Sequence, residues 1–270
     1  MKRWLLAVLG LVAMAGPLAA QEGQSPAGAV PARPTVRAKT VQAPQPHGAE
    51  QAPWGRSPAK TPPVIAPHVT AEQAVANLEK ALKAVKTLQA KFEQLYYSMS
   101  VSEPLREKGD VYLERPDLMR WNYRTPQEKV FLYRTGILET YLPEENQLTR
   151  TVVPPEALES DIFGIFLGTA SFRDAYTVAD TQFPTDATGV RQVRAVPKEE
   201  GDFSHILLEI DETTWLLRRA IFLEWAGNKR EFVFFQVKTG VRIPAKTFTL
   251  KVPPTTEIID DTGHHGLEER

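Results

Sequence analysis

Arg115 is the charged residue of this sequence whose position suggests a specific chemical role. It precedes Pro116, and because a proline biases the residue before it toward extended geometry, the pair marks a corner between two strands. The arginine guanidinium is a planar cation with five N–H donors. Carbonyl groups at a helix C-terminus lack intrahelical partners and favour cations. Two interpretations follow: Arg115 is a surface arginine, or it is a latch that bonds the exposed carbonyls of a helical lid.

A row of apolar side chains follows this corner. Met119, Trp121 and Tyr123 occupy every second position, and side chains two apart on a strand point to one face. Such a row is either ordinary core or the wall of a cavity for an apolar ligand. The complete predicted set of cavity residues is Leu88, Phe92, Val111, Leu113, Met119, Trp121, Tyr123, Tyr141, Ile221, Leu223, Trp225, Phe232 and Phe234.

Residues that could form a catalytic or metal site are scattered. The sequence contains no H-E-x-x-H or G-x-S-x-G motif and no glycine-rich phosphate loop. His205 lies in a predicted strand, and His264 and His265 lie in a polar stretch. The absence of cysteine excludes thiol catalysis, thiolate zinc sites and iron–sulfur clusters. We therefore predict that the protein is not an enzyme and has no metal or cofactor.

The first 20 residues have the pattern of a secretory signal peptide. Lys2 and Arg3 precede an apolar run at 4–15, and Leu18-Ala19-Ala20 fits a cleavage site before Gln21. The run is shorter than the about 20 residues that a membrane-spanning helix needs. We therefore predict that residues 1–20 direct export and are then removed.

Composition divides the remaining chain into three parts. Residues 21–67 hold 10 of the 22 prolines and little apolar material, which predicts a disordered linker, with a partner-binding motif as the alternative. Residues 68–261 are predicted to form one globular domain, and residues 262–270 a polar tail. The chain after the linker carries a net negative charge, which argues against nucleic-acid binding.

The apolar pattern predicts one helix followed by strands. Thr70 and Gln73 form a capping-box pattern, and apolar residues recur at spacings of three and four from Val75 to Leu95. This stripe would place Leu88 on the helix, together with Phe92. Strands are predicted at 94–102, 106–115, 118–124, 129–134, 137–142, 146–152, 175–181, 189–196, 204–211, 216–225, 229–238 and 245–252.

The strand pattern is interrupted at 154–174, where short apolar helices are predicted. Such helices are not stable alone and need an apolar surface beneath them. Their apolar residues are Ile162, Phe163, Ile165 and Phe166. The pattern of short strands predicts an antiparallel meander that closes into a barrel or a sandwich.

Taken in order, these features resemble LolA-type periplasmic outer-membrane lipoprotein carriers. The resemblance rests on a signal peptide without a lipobox cysteine, on Pro126 and Tyr141, and on several longer segments. These segments are Leu88–Gln94, Gly109–Pro116, Met119–Tyr123, Phe248–Pro254 and Ile258–Asp261. The proline-rich segment at 21–67 departs from the usual carrier.

The resemblance implies an α+β, mostly β fold, namely an incomplete antiparallel β-barrel with an amphipathic N-terminal helix and short lid helices over an apolar cavity. It implies that Arg115 bonds the lid in the closed state and that Met119 affects lipid release. It also implies a monomeric periplasmic carrier that receives lipoprotein acyl chains from an inner-membrane ABC exporter and passes them to an outer-membrane receptor where one is present. A LolA-like lipid-binding or envelope-stress sensor module is the alternative.

Overall fold

The computed structural model describes residues 69–153, 166, 171–201 and 203–262. The predicted signal peptide and linker lie outside the described residues, and so does nearly all of the polar tail. Three of the four predicted lid residues, Ile162, Phe163 and Ile165, also lie outside them, whereas Phe166 is described.

The described chain begins with helix α1, Ala71–Ala84. Thr70 Oγ1 accepts a hydrogen bond from Gln73 N, and Gln73 Oε1 accepts one from Thr70 N, so the predicted capping box is confirmed. The apolar stripe of α1 is buried and consists of Ala71, Ala74, Val75, Leu78 and Leu82. Within the described ranges, no helix has the length and apolar character needed to cross a membrane.

The helix ends earlier than the sequence pattern predicts. Val85 is already extended, and strand β1 spans Thr87–Tyr97. The predicted helix through Leu95 is therefore wrong, and both Leu88 and Phe92 lie on a strand. Their spacing of four fits a helical period and a strand period equally well.

Twelve strands form one open, curved sheet within the described ranges, in the order β12-β6-β5-β4-β3-β2-β1-β11-β10-β9-β8-β7. After β1 the elements are β2 Leu105–Glu114, β3 Leu118–Thr125, β4 Lys129–Arg134, β5 Ile137–Leu142, β6 Gln147–Val152, α2 Phe172–Ala175, β7 Tyr176–Asp180, β8 Val190–Pro197, β9 Phe203–Asp211, β10 Leu217–Glu224, β11 Lys229–Thr239 and β12 Glu257–Asp261.

The mostly β fold predicted from the sequence is confirmed, as a sheet that does not close on itself. Strand β12 lies parallel to β6, whereas the other neighbouring pairs are antiparallel. The predicted strand at 245–252 is wrong. Ala245–Phe248 form a 3₁₀-helix that follows Pro244, and proline cannot donate to a strand ladder.

The two faces of the sheet carry different side chains. We call the face that packs against α1 the inner face; its core includes Leu88, Val111 and Met119. On the outer face, Leu132 packs against Phe248 of the 3₁₀-helix. The long apolar cluster on the inner face therefore joins the helix to the sheet.

Gly109 allows neighbouring atoms to pack closely against the backbone of β2. It lies opposite Phe92 in the β1–β2 register. A Cβ atom at Gly109 would lie 2.0 Å from the carbonyl oxygen of Asn122 and 2.7 Å from the Phe92 ring. The ring of Phe92 therefore occupies the space that a side chain at this position would need.

We predict that Gly109→Ala destabilises the fold by about 3 kcal/mol, because the new methyl group meets a backbone carbonyl of the β2–β3 ladder. Urea unfolding followed by circular dichroism measures the change. Gly201→Ala is the matched control, since no atom lies within 4 Å of a Cβ built there, and its effect should stay within about 0.5 kcal/mol. Equal stability of the Gly109→Ala variant and the wild type would contradict the close approach.

Candidate functional site

Arg115 fastens three segments together at the corner that follows β2. Its Nε donates to the carbonyl oxygens of Leu82 at 3.1 Å and Val85 at 2.8 Å. Its Nη2 donates to the carbonyl oxygens of Leu82 at 2.7 Å and Phe166 at 2.8 Å. The backbone N–H of Arg115 donates to the carbonyl oxygen of Lys86 at 2.9 Å. We call the four side-chain bonds the Arg115 clasp.

The clasp satisfies carbonyl groups that the end of α1 leaves without helical partners. Leu82 lies in the last turn of this helix and Val85 caps it, where cations are favoured. Burial lowers the pKa of the Arg115 guanidinium from its ordinary value, yet an arginine stays protonated at neutral pH. Phe166 belongs to the predicted lid segment, whereas the bonds to α1 were not expected from the sequence.

A small apolar cavity lies beside the clasp. Its volume of about 10 Å³ leaves room for about one water molecule. The lining residues are Leu82, Leu88, Ala90, Phe166, Leu216, Leu217, Phe234 and Val237. Because all eight are apolar and the space between them is nearly filled, this conformation leaves no room for an acyl chain in the cavity.

Aromatic rings fill the inner face next to the cavity. The Trp121 ring centroid lies 4.9 Å from that of Phe92, 5.9 Å from those of Phe166 and Phe232, and 6.0 Å from that of Phe234, all with steeply inclined rings. Phe166 also meets Phe234 at 5.0 Å. The residue whose carbonyl accepts from the clasp therefore places its ring in this aromatic cluster, so clasp and cluster hold the same segment.

Most of the predicted cavity residues lie on the inner face. Nine of them belong to its core, namely Leu88, Phe92, Val111, Leu113, Met119, Trp121, Tyr123, Phe232 and Phe234. Leu88 and Phe234 line the cavity itself. The structure thus brings the row after the Arg115 corner together with residues of β1, β2 and β11.

The inward face of β10 is the opposite of the face that the sequence analysis predicted. Ala220 and Phe222 belong to the inner-face core, so Ile221 and Leu223, which alternate with them, point to the outer face. Trp225 follows the strand and is 73% exposed. These three placements correct the prediction, because a strand that is apolar on both faces does not reveal which face is inward.

Tyr141 also lies on the outer face. Trp121 is opposite Phe131, and Phe131 is opposite Thr140, so all three share the inner face. Tyr141 follows Thr140 and therefore points the other way. Its predicted place in the cavity wall is corrected as well.

Several lining residues were missed by the sequence analysis. Val237 lies at an odd position relative to Phe234, so the period of two does not predict that both face inward. Between them Gln236 has a φ of 53°, and the β1–β11 register shifts there, which turns the strand by one residue. Leu82, Ala90, Leu216 and Leu217 were the other residues not selected.

A buried polar network borders the aromatic cluster on the inner face. Tyr123 Oη donates to Gln94 Oε1 at 2.7 Å, and Gln94 Nε2 donates to Glu107 Oε2 at 3.0 Å. Lys129 Nζ donates to Glu107 Oε1 and lies 4.9 Å from the centroid of the Tyr123 ring. The four residues are between 2% and 5% exposed. Their polar groups satisfy one another in a region of low dielectric constant, as buried polar groups must.

The histidine in the predicted strand has an ordinary local partner. His205 Nδ1 lies 3.1 Å from Ser204 Oγ, and that hydroxyl donates to the carbonyl oxygen of Leu223 at 3.0 Å. Burial lowers the pKa of His205, and the nearby charge of Arg194 lowers it further. Across the described ranges, no three His, Asp or Glu side chains are grouped so that they could hold a metal ion.

Comparisons with known proteins agree with this architecture. The family model described as outer membrane lipoprotein carrier protein LolA matches residues 83–251. An outer-membrane lipoprotein carrier protein from Methylococcus capsulatus is 26% identical over 187 residues, which cover 68% of this chain and 86% of that protein. Another from Photobacterium profundum is 27% identical over 183 residues, which cover 68% of this chain and 87% of that protein.

Similar proteins also occur among solved structures. A crystal structure of a LolA superfamily protein from Nitrosomonas europaea has a TM-score of 0.38 and 12% identity, and the match covers 68% of this chain and 99% of that chain. The matched family segment, residues 83–251, takes up more than half of this sequence and contains the Arg115 corner and most of the cavity lining. The chain therefore belongs to the LolA family of outer membrane lipoprotein carrier proteins.

Proposed function

We propose that this protein is a periplasmic carrier that binds the acyl chains of lipoproteins released from the inner membrane and delivers them to the outer membrane. The observation that carries the proposal is the closed apolar cavity beside the Arg115 clasp, one wall of which is Phe166. An inner-membrane ABC exporter is the proposed donor. An outer-membrane receptor, where present, is the proposed acceptor, and the carrier acts as a monomer.

Acyl chains need an apolar site because their exposure to water is unfavourable. Burying each methylene group gains about 0.8 kcal/mol, so lipoprotein chains left in the periplasm would aggregate. The closed cavity of about 10 Å³ is too small for an acyl chain. Cargo therefore has to displace Phe166 from the rings of Trp121 and Phe234 before it can enter.

The need to displace Phe166 lowers the affinity for cargo, which favours release of the cargo. When only an open conformation accepts the ligand, the apparent affinity falls by the fraction of protein that is open. The clasp stabilises the closed conformation, so it opposes retention of the cargo. A carrier of this kind keeps acyl chains out of water and still releases them to an acceptor that binds them more tightly.

Thiol protection tests whether acyl chains occupy this cavity. The chain has no cysteine, so a single introduced thiol is a specific reporter. Val237→Cys places it in the cavity wall, and Phe235→Cys places it two residues earlier on the same strand, at a residue that is 40% exposed. We predict that a triacylated lipopeptide slows alkylation of Val237→Cys in proportion to the bound fraction and leaves Phe235→Cys unchanged, because access controls thiol reactivity.

A hydrophobic dye that competes with the lipopeptide should restore the alkylation rate of Val237→Cys. Equal rates with and without lipopeptide at Val237→Cys would contradict the proposed site. Protection by free phospholipid but not by lipopeptide would instead favour the lipid-binding or sensor module over the carrier.

A second prediction concerns release. We expect Arg115→Leu to load lipopeptide normally but to transfer it to acceptor vesicles at least about tenfold more slowly. The substitution removes charge-assisted bonds of the closed state that are together worth more than about 1.4 kcal/mol. Because the clasp opposes retention, its loss favours the open, loaded protein. Fluorescent lipopeptide measures the transfer rate. Arg120→Leu is the control, since Arg120 donates to the carbonyls of Thr247 and Thr249 beside the 3₁₀-helix. Normal delivery by Arg115→Leu would rule out the latch.

A further inference from the structure

We propose that the buried network of Gln94, Glu107, Tyr123 and Lys129 is a polar end wall that limits how far an acyl chain enters, and so sets the chain length that the protein prefers. This inference rests on the proposed function. The wall is defined by the hydrogen bonds and the ion pair that join the four side chains.

The wall lies at the opposite end of the inner face from the Arg115 clasp. Leu88, near the clasp, and Gln94, in the wall, are both on β1, and the residues between them that face inward are Ala90 and Phe92. The cross-strand rows of β1, β2 and β3 along this path are Leu88–Leu113–Met119, Ala90–Val111–Trp121 and Phe92–Gly109–Tyr123, and the next pair is Gln94–Glu107.

The depth of this apolar path is comparable with the length of a membrane acyl chain. Six residue steps separate Leu88 from Gln94 on β1, which is about 20 Å at about 3.3 Å per residue. One leaflet of a bilayer is half of a hydrocarbon core that is about 30 Å thick, or about 15 Å. The distance between clasp and wall therefore exceeds the length of an ordinary membrane acyl chain, whereas a much longer chain would meet the wall with its methyl end.

The wall resists entry because its side chains already bond to one another, and an entering chain would have to break those bonds. Glu107 accepts from Lys129 with one carboxylate oxygen and from Gln94 with the other. A methyl group that separated these residues would leave a buried charge unpaired, which costs more than the burial of one methylene gains.

A second polar layer stands behind the first. Arg230, which is 6% exposed, pairs with Tyr96 in the β1–β11 register, two residues beyond Gln94. Its Nη2 lies 3.6 Å from Glu224 Oε1. The polar end of this part of the inner face is therefore more than one residue deep.

Stability alone does not account for charges at this place. A buried ion pair is often no more stable than apolar side chains of similar volume. Glu107 and Lys129 nevertheless lie on the inner face of strands whose other inward residues include Val111, Leu113 and Phe131. A limit on the ligand gives these buried charges a role.

The test replaces both charges together, so that neither is left unpaired. Glu107→Leu combined with Lys129→Met leaves Gln94 and Tyr123 bonded to each other. The matched control is Asp110→Leu combined with Arg124→Met, which removes an ion pair between β2 and β3 that lies off the inner face. Circular dichroism and thermal melting establish that each variant folds.

The ligands are peptides that carry one acyl chain and differ only in chain length, from shorter to longer than membrane acyl chains. For the wild type and the control variant, we expect affinity to rise with each methylene, by at most about fourfold, up to one chain length and then to stop rising. For the Glu107→Leu, Lys129→Met variant, the rise should continue to longer chains.

A break at the same chain length in all three folded proteins would overturn the end wall and assign the limit to the aromatic cluster. If the apolar variant does not fold, Glu107→Gln combined with Lys129→Gln removes the charges but keeps hydrogen-bonding groups, and its break should also move to longer chains; no movement would overturn the proposal. Failure of the wild type to bind any of the peptides would contradict the proposed function itself.

Discussion

One cation gathers backbone carbonyls from separate segments, and the proposed closed state depends on it. Arg115 reaches two carbonyls at the end of α1 and the carbonyl of Phe166. Carbonyls at a helix end need a donor when they are covered, and the same donor holds a ring against the aromatic cluster. In the proposed open state, water would take over these hydrogen bonds, so the net cost of opening would be much smaller than the bonds themselves. The proposed latch is therefore both specific and reversible.

The affinity of such a site for an acyl chain is a difference between two sets of contacts. In the closed state Phe166 already packs against Trp121 and Phe234, so an entering chain replaces protein contacts as well as water contacts. The gain per methylene is therefore smaller at the cavity than in an empty apolar pocket. A filled, closed cavity suits a protein that must let its ligand go, whereas a preformed empty one would favour retention.

The sequence predicts helix capping and strand boundaries better than it predicts strand register. The capping box of Thr70 and the boundaries of β4 and β5 follow from short-range pattern. The end of α1 does not, because the spacing of Leu88 and Phe92 satisfies two periods at once. The inward face of β10 and the shift at Gln236 are set by neighbouring strands, and a single-strand pattern contains no information about neighbours.

The two polar features at the ends of the apolar path differ in what they are built on. The acceptors of Arg115 lie on α1 and at Phe166, outside the sheet, and its guanidinium is only partly buried. The Glu107 network lies on β1, β2, β3 and β4, which are neighbours in one sheet, and it is almost fully buried. Under the proposed opening, movement of α1 and Phe166 would break the first feature and leave the second intact. The proposed carrier would then change the entrance of its site while the sheet keeps the depth constant.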